Sequence, residues 1–166
     1  MSVGEENTMM LKHVFLASTA AFFILGNGPA KAGQTINEAG ALACVTDRWD
    51  EKEVEKGHKL IDYAGRCVVI PDDNAAPKLT EDCVGKYEYM PDESYKGSGT
   101  CTLKAKDAAD TLTDTWEEGS HLKDNPYKYT GGTGKYQGAS GGGTYTYDSL
   151  TDTLSGGKYK GTMQLP

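Results

Sequence analysis

The chain has 166 residues, with 17 Lys and Arg against 24 Asp and Glu, a formal net charge of −7 at pH 7. An acidic balance of this kind argues against nucleic acid and anionic membrane surfaces as partners. Beyond residue 32, Leu, Ile and Val number only nine, three and five, too few for a core held by aliphatic side chains alone.

Lys12 and His13 precede an apolar run, Val14–Leu25, and Gly26–Ala32 follows, ending Ala30-Lys31-Ala32. A basic stretch, a short apolar segment and an A-x-A site are the features of a secretory signal peptide. The run falls short of the about 20 residues that cross a bilayer, so no integral membrane anchor is expected. The sequence therefore predicts cleavage after Ala32, with Met9 or Met10 as alternative starts, and export to the periplasm or beyond. Residues 33–166 remain as a single domain. The leader's charges cancel (Glu5 and Glu6 against Lys12 and Lys31), so that domain keeps the −7.

All three Phe residues leave with the leader, whereas all ten Tyr and both Trp stay. Each of these can bury a large apolar body and keep a polar tip near water. All four cysteines, Cys44, Cys67, Cys83 and Cys101, also stay. In an exported protein an even cysteine count predicts disulfides, and no C-x-x-C pair points to zinc.

In chain order, Gly33–Thr46 reads as a first strand or a strapped-down arm. Arg48–Lys59 (R-W-D-E-K-E-V-E-K-G-H-K) is highly charged. A helix over Asp50–Lys56 would turn only Val54 to a core, so a solvated edge strand or loop is the better reading. Leu60–Ile70 reads as a well-buried strand, and Pro71–Asp82 as a loop by composition. Cys83–Met90 and Tyr95–Lys104 flank Pro91-Asp92-Glu93-Ser94, a turn signal between two β-rich runs. A further strand runs from about Asp110 to Leu122, and Lys123-Asp124-Asn125-Pro126 turns it. Tyr127–Thr130 leads into a glycine-rich stretch, Thr130–Tyr147, that leaves as Thr-Tyr alternation. A last hairpin pairs Thr144–Leu150 with Lys158–Leu165 across Thr151–Gly157. Gly85-Lys86-Tyr87, Gly134-Lys135-Tyr136 and Gly157-Lys158-Tyr159 recur as one device: Gly shapes a turn, Lys points out, Tyr points in. Short strands punctuated by turns predict an all-β fold, a single antiparallel up-and-down barrel of about eight strands.

Folding Cys83–Met90 back on Tyr95–Lys104 about Asp92 sets Cys83 opposite Cys101, within reach of a disulfide. That pairing leaves Cys44 with Cys67. A shift of one residue would turn Cys83 and Cys101 to opposite faces, and four cysteines allow three connectivities.

Several polar groups invite a functional reading. Gly131–Lys135 superficially has the look of a phosphate loop, but Tyr136 follows the Lys and no helix follows, so a β-turn is expected. Glu117 and His121 would share a strand face suited to acid–base work, though a strand-end His beside a turn is the plainer reading. Asp72-Asp73-Asn74 offers oxygen ligands for calcium, but an acidic turn is the default.

Trp116-Glu117-Glu118, followed by Tyr129-Thr130-Gly131-Gly132-Thr133-Gly134-Lys135-Tyr136-Gln137-Gly138-Ala139-Ser140-Gly141, resembles the T-[YW]-E-[DE] … V-T-G-G-[ST]-G-x-[FY]-x-G-A-x-G pattern of allene oxide cyclases. Dirigent proteins have a similar glycine–aromatic turn. Gly65-Arg66-Cys67-Val68-Val69-Ile70 is similar to the cyclases' G-L-C-V-x-I strand, and the likeness runs over residues 60–165. The resemblance implies a barrel whose Cys67 lines the cavity. The cyclases' N-terminal Glu and Asn near a Ser-Pro have no counterpart here, and a further site tyrosine corresponds to Thr113. Relatives of this fold often trimerise, which makes a homo-oligomer an expectation.

The function expected from these readings is an exported, non-catalytic barrel that binds a small, largely apolar or aromatic molecule. Its ligand-contacting candidates are Cys67, Tyr87, Trp116, Glu118 and Tyr145, with Gly131, Gly132, Gly134 and Gly138 as the structural turn. No cofactor or metal is expected. The alternatives are an isomerase or cyclase resembling allene oxide cyclase, and a structural or surface-interaction protein whose barrel is filled.

Overall fold

The computed structural model describes residues 33–166, so the secretory-leader reading of residues 1–32 lies outside the described residues. Eight antiparallel strands follow one another around a closed barrel. They are β1 (Gln34–Glu55), β2 (His58–Pro71), β3 (Leu79–Tyr89), β4 (Tyr95–Ala105), β5 (Thr111–Gly119), β6 (Asn125–Gly132), β7 (Ser140–Ser149) and β8 (Leu154–Leu165). β8 pairs with β1 from Gln34↔Leu165 to Val45↔Leu154, which seals the wall. Closure removes the unpaired strand edges that would otherwise template aggregation. The all-β, up-and-down, eight-stranded architecture is the one the sequence predicts.

Alternation along each strand decides what enters the lumen. Leu42 and Cys44 of β1, Cys101 and Leu103 of β4, and Leu112, Asp114 and Trp116 of β5 are buried, while most of the residues between them are more exposed. The core is accordingly aromatic and sulfur-rich: Tyr87, Trp116, Tyr129, Tyr136 and Tyr145 are buried together with all four cysteines. Cys83 stands opposite Cys101 in the β3–β4 register and the two are bonded, as are Cys44 and Cys67 across β1–β2.

Several boundaries differ from the sequence reading, each for a local reason. Arg48–Glu55 takes the edge-strand alternative of the sequence reading rather than the loop or helix: it is the far half of β1, paired with β2 alone in a long solvated ribbon. Its charges are satisfied on the surface, Glu51 with Lys59 at 2.7 Å among them. A bulge between Thr46 and Arg48 shifts the register there. Beyond it, Trp49 lies against Tyr63, Tyr87 and Tyr89. Leu79–Asp82 is strand rather than loop, because it pairs with Arg66–Val69 of β2. β5 stops at Gly119, where Ser120 N–H turns back to the Tyr95 carbonyl and Leu122 N–H to that of Gly119. The last turn spans only residues 150–153, since Ser155–Gly157 already pair with β7. Of the three Gly-Lys-Tyr repeats, only Gly134 sits in a turn; Gly85 and Gly157 lie mid-strand, where a Cβ would meet the Trp116 ring and the Thr146 carbonyl. All three tyrosines do face inward or pack against the core.

The two barrel ends differ. The β1–β2, β3–β4, β5–β6 and β7–β8 turns gather at one end with Trp49, Tyr89 and Tyr95 around them. The opposite end carries the longer loops and a 3-10 turn, Gly134–Tyr136. Near it Leu112, Tyr136, Ala139 and Met163 are buried.

Candidate functional site

The lumen is built by inward positions of all eight strands. β3 supplies Glu81 and Tyr87, β5 supplies Asp114, Trp116 and Glu118, β6 supplies Tyr127 and Tyr129, and β7 supplies Tyr145 and Tyr147. Together with Leu42, Val69, Leu103 and both sulfurs of the β3–β4 disulfide pair, they line a cavity of about 60 Å³. That volume is a fraction of the about 300–1,000 Å³ typical of pockets for drug-sized ligands.

Hydrogen bonds divide the lumen into two layers. Toward the aromatic rim, Glu118 accepts from the hydroxyls of Tyr87 (2.9 Å) and Tyr145 (3.0 Å). Trp116 packs on Tyr87 with ring centroids 5.5 Å apart, and Trp49 covers the same tyrosine at 5.2 Å. Deeper, Glu38 of β1 accepts from Tyr127 (2.6 Å) and Tyr129 (2.7 Å). Between these pairs lie Glu81 and Asp114. Asp114 is 4% exposed, and its Oδ1 has no hydrogen-bond partner among the described residues; neither does Nε1 of Trp116. Buried polar atoms are rarely left so.

Burial sets the electrostatics. Desolvation pushes the Glu81 carboxyl up to about 8, with the charge of Asp114 adding to it and no hydrogen bond opposing it. Desolvation likewise raises Asp114 to about 7, against a Cys101 backbone N–H that favours the carboxylate. Burial also raises Glu118, but the Tyr87 and Tyr145 hydroxyls resist it. Tyr63 is pushed up to about 12 by burial and by the nearby carboxylates, so it stays a neutral donor at physiological pH. The cavity lining includes three acidic side chains and no basic one.

Four of the five sequence-predicted contact residues meet in one place. Tyr87, Glu118 and Tyr145 form the rim-side hydrogen-bonded triad, and Trp116 stacks on it. Cys67 is elsewhere on the wall, 3% exposed and bonded to Cys44. The Tyr147 hydroxyl donates toward Cys44 Sγ at 3.1 Å and lies 3.5 Å from Cys67 Sγ. No free thiol remains among the described residues. Gly131, Gly132, Gly134 and Gly138 shape the end of β6 and the 3-10 turn that follows.

The other polar candidates lie outside the lumen. His121 sits in the β5–β6 turn, on the edge of an outer cleft that also takes in Glu117 and whose Lys96 and Glu88 pair at 2.8 Å. Asp73 accepts the Ala75 N–H within an ordinary acidic turn. Lys135 of the glycine stretch extends over the Tyr136 ring.

The sequence reading left out Glu38, Glu81, Asp114, Trp49 and five lumen tyrosines, Tyr63, Tyr127, Tyr129, Tyr147 and Tyr159. The signal for Asp114 was present: period two from Trp116 and Glu118 puts it on their face. Glu81 has the same relation to Cys83 and Tyr87, and was hidden only by the loop-like composition before it.

No protein-family model matches the sequence, and no curated protein matches it. Solved structures do share its fold. One pterocarpan synthase dirigent protein has a TM-score of 0.50 at 10% identity, covering 82% of this chain and 88% of that chain. A second has a TM-score of 0.51 at 12% identity, covering 78% of this chain and 94% of that one. The chain thus has the closed antiparallel barrel of the dirigent proteins, the fold that its glycine–aromatic turn and strand motifs imply.

Proposed function

We propose that the protein is an exported, non-catalytic barrel that binds a small, largely apolar or aromatic molecule in its lumen. The observation that carries this reading is the cavity between Glu81, Asp114 and Trp116, which keeps unpartnered buried polar atoms inside a wall of aromatic rings. A lumen that served only as a core would be expected to pair those atoms or replace them with apolar groups. Tyr and Trp faces supply apolar contact, and a few convergent polar groups supply orientation, the usual division of labour in a small-molecule site. Two disulfides fit an oxidising, extracytoplasmic compartment. Delivery to the periplasm or the exterior completes the reading.

A cyclase-type isomerase is less well supported, because Cys67, the position with a counterpart in that family's cavity, is held in a disulfide. A filled structural barrel draws support from the small cavity of about 60 Å³. Native mass spectrometry of protein purified from its own host separates these readings. A co-purifying small molecule, lost on denaturation, is the expected result. Bare protein that also leaves Trp fluorescence unchanged across a panel of small aromatics would favour the filled barrel.

A further inference from the structure

From the arrangement of the lumen, and resting on the binding reading above, we infer that the preferred ligand is a cation: an amine whose ammonium group sits between Glu81 and Asp114 while its apolar body lies against the Tyr and Trp rings.

Three independent features converge on this class. The first is charge. Glu81, Asp114 and Glu118 line the cavity, no Lys, Arg or His does, and Glu38 lies close to the same chamber. Among the described residues no cation lines the cavity beside these carboxyl groups, so an anionic ligand would meet only acidic side chains there, whereas a cation would find carboxylate partners. The second is hydrogen bonding. Glu118 and Glu38 are each already served by two tyrosine hydroxyls, whereas Asp114 Oδ1 is buried with no donor. Asp114 Oδ1 is thus an unpaired acceptor inside the chamber, and a primary ammonium brings three donors, one of which can serve it. The third is the wall. Tyr63, Tyr87 and Trp116 meet edge-on or tilted with centroids 5.5–5.9 Å apart, offering ring faces and edges beside the carboxylates. Aromatic faces attract cations through their quadrupole, most strongly where water is excluded.

Size restricts the cation. About 60 Å³ is less than the about 150 Å³ of an engineered cavity that takes benzene, so the space fits a head group rather than a whole ring system. A primary amine fits where a bulky quaternary ammonium does not. Burial without compensation is what drives Glu81 and Asp114 toward neutrality, and an ammonium between them removes that cost.

The test is calorimetric titration of the domain Gly33–Pro166 with benzylamine, benzyl alcohol and benzoate, which share a ring and differ in charge. Benzylamine should bind about tenfold to a hundredfold more tightly than benzyl alcohol, the range a charge-assisted hydrogen bond supplies, and benzoate weakest. Asp114→Asn and Glu81→Gln, each checked for folding by circular dichroism, should erase most of that advantage of the amine over the alcohol. Either variant alone suffices if the other does not fold. Equal binding of amine and alcohol, or tighter binding of benzoate, overturns the cation assignment and leaves the binding reading standing. An amine advantage that survives in the folded variants locates the amine on the acidic surface and also overturns it. Failure of all three probes to bind overturns the cation assignment, and the co-purification experiment then decides the binding reading.

Discussion

Asp114 is the side chain whose replacement tests the electrostatic account most directly. In the unfolded chain its carboxyl returns to an ordinary value near 3.8, whereas burial in the barrel holds it at about 7. Between those values the folded state binds a proton that the unfolded state does not. The contribution of Asp114 to stability is therefore fully present below about pH 4 and is lost as the pH rises through 7. Each tenfold change is worth about 1.4 kcal/mol, so the whole span amounts to about 4 kcal/mol, of which about 2 kcal/mol falls between pH 5 and pH 7 and about 3 kcal/mol between pH 5 and pH 8. Glu81, held up to about 8, acts in the same direction over the same window. Urea denaturation of Gly33–Pro166 at pH 5, 6, 7 and 8 should show stability declining with pH. In Asp114→Asn the decline should shrink by about 3 kcal/mol, whatever the variant's absolute stability. The slope is the readout, because an Asn amide in the same chamber brings its own unpaired donor. A wild-type stability that is flat or rises from pH 5 to pH 8, or a variant with the wild-type slope, refutes the reasoning.

Three further outcomes are expected. Reduction of Cys44–Cys67 and Cys83–Cys101 should remove about 2–4 kcal/mol each, so melting curves with and without reductant should separate widely; coincident curves would count against a structural role. Gly134→Val should destabilise by about 2 kcal/mol or more, because Gly134 has φ +55° and a Cβ there would clash with the Asp110 carboxylate; wild-type stability by chemical denaturation would reject the turn assignment. Tyr145→Phe takes one donor from Glu118 and should cost about 1–3 kcal/mol. Its effect should overlap with that of Tyr87→Phe in a double-mutant cycle, since both hydroxyls serve the same carboxylate; strict additivity would separate them.

The wall of the barrel was more legible than its interior. Cys83 and Cys101 could be paired from sequence because a four-residue turn, Pro91–Ser94, fixes the β3–β4 register, and every later pair follows from it. Trp116, Glu118, Tyr87 and Tyr145 could be singled out because aromatic and β-branched neighbours mark their strands. Glu81 was lost for the opposite reason: Pro, Asp and Asn before it read as loop, and only pairing with Arg66–Val69 makes the segment a strand. Trp49 was lost among charged residues, because a bulge between Thr46 and Arg48 interrupts the alternation that would have shown its face. The meeting of Glu38 with Tyr127 and Tyr129 spans about half the chain and is created by barrel closure, which no local pattern encodes.

Those same features explain how a domain with so few aliphatic residues tolerates an acidic lumen. Burying carboxylates without cations works against folding. At Glu38 and Glu118 the cost is met locally, each carboxylate taking two tyrosine hydroxyls whose own ionisation burial suppresses. At Glu81 and Asp114 it is not met, and the groups respond by rising toward neutrality. The remaining burden falls on the wall: continuous pairing around eight strands, with one disulfide on β1–β2 and one on β3–β4. A disulfide acts largely on the unfolded chain, so it stabilises the barrel without filling the chamber. The division is physical: the wall holds the fold, and among the described residues the Asp114 carboxyl in the middle keeps an Oδ1 with no donor.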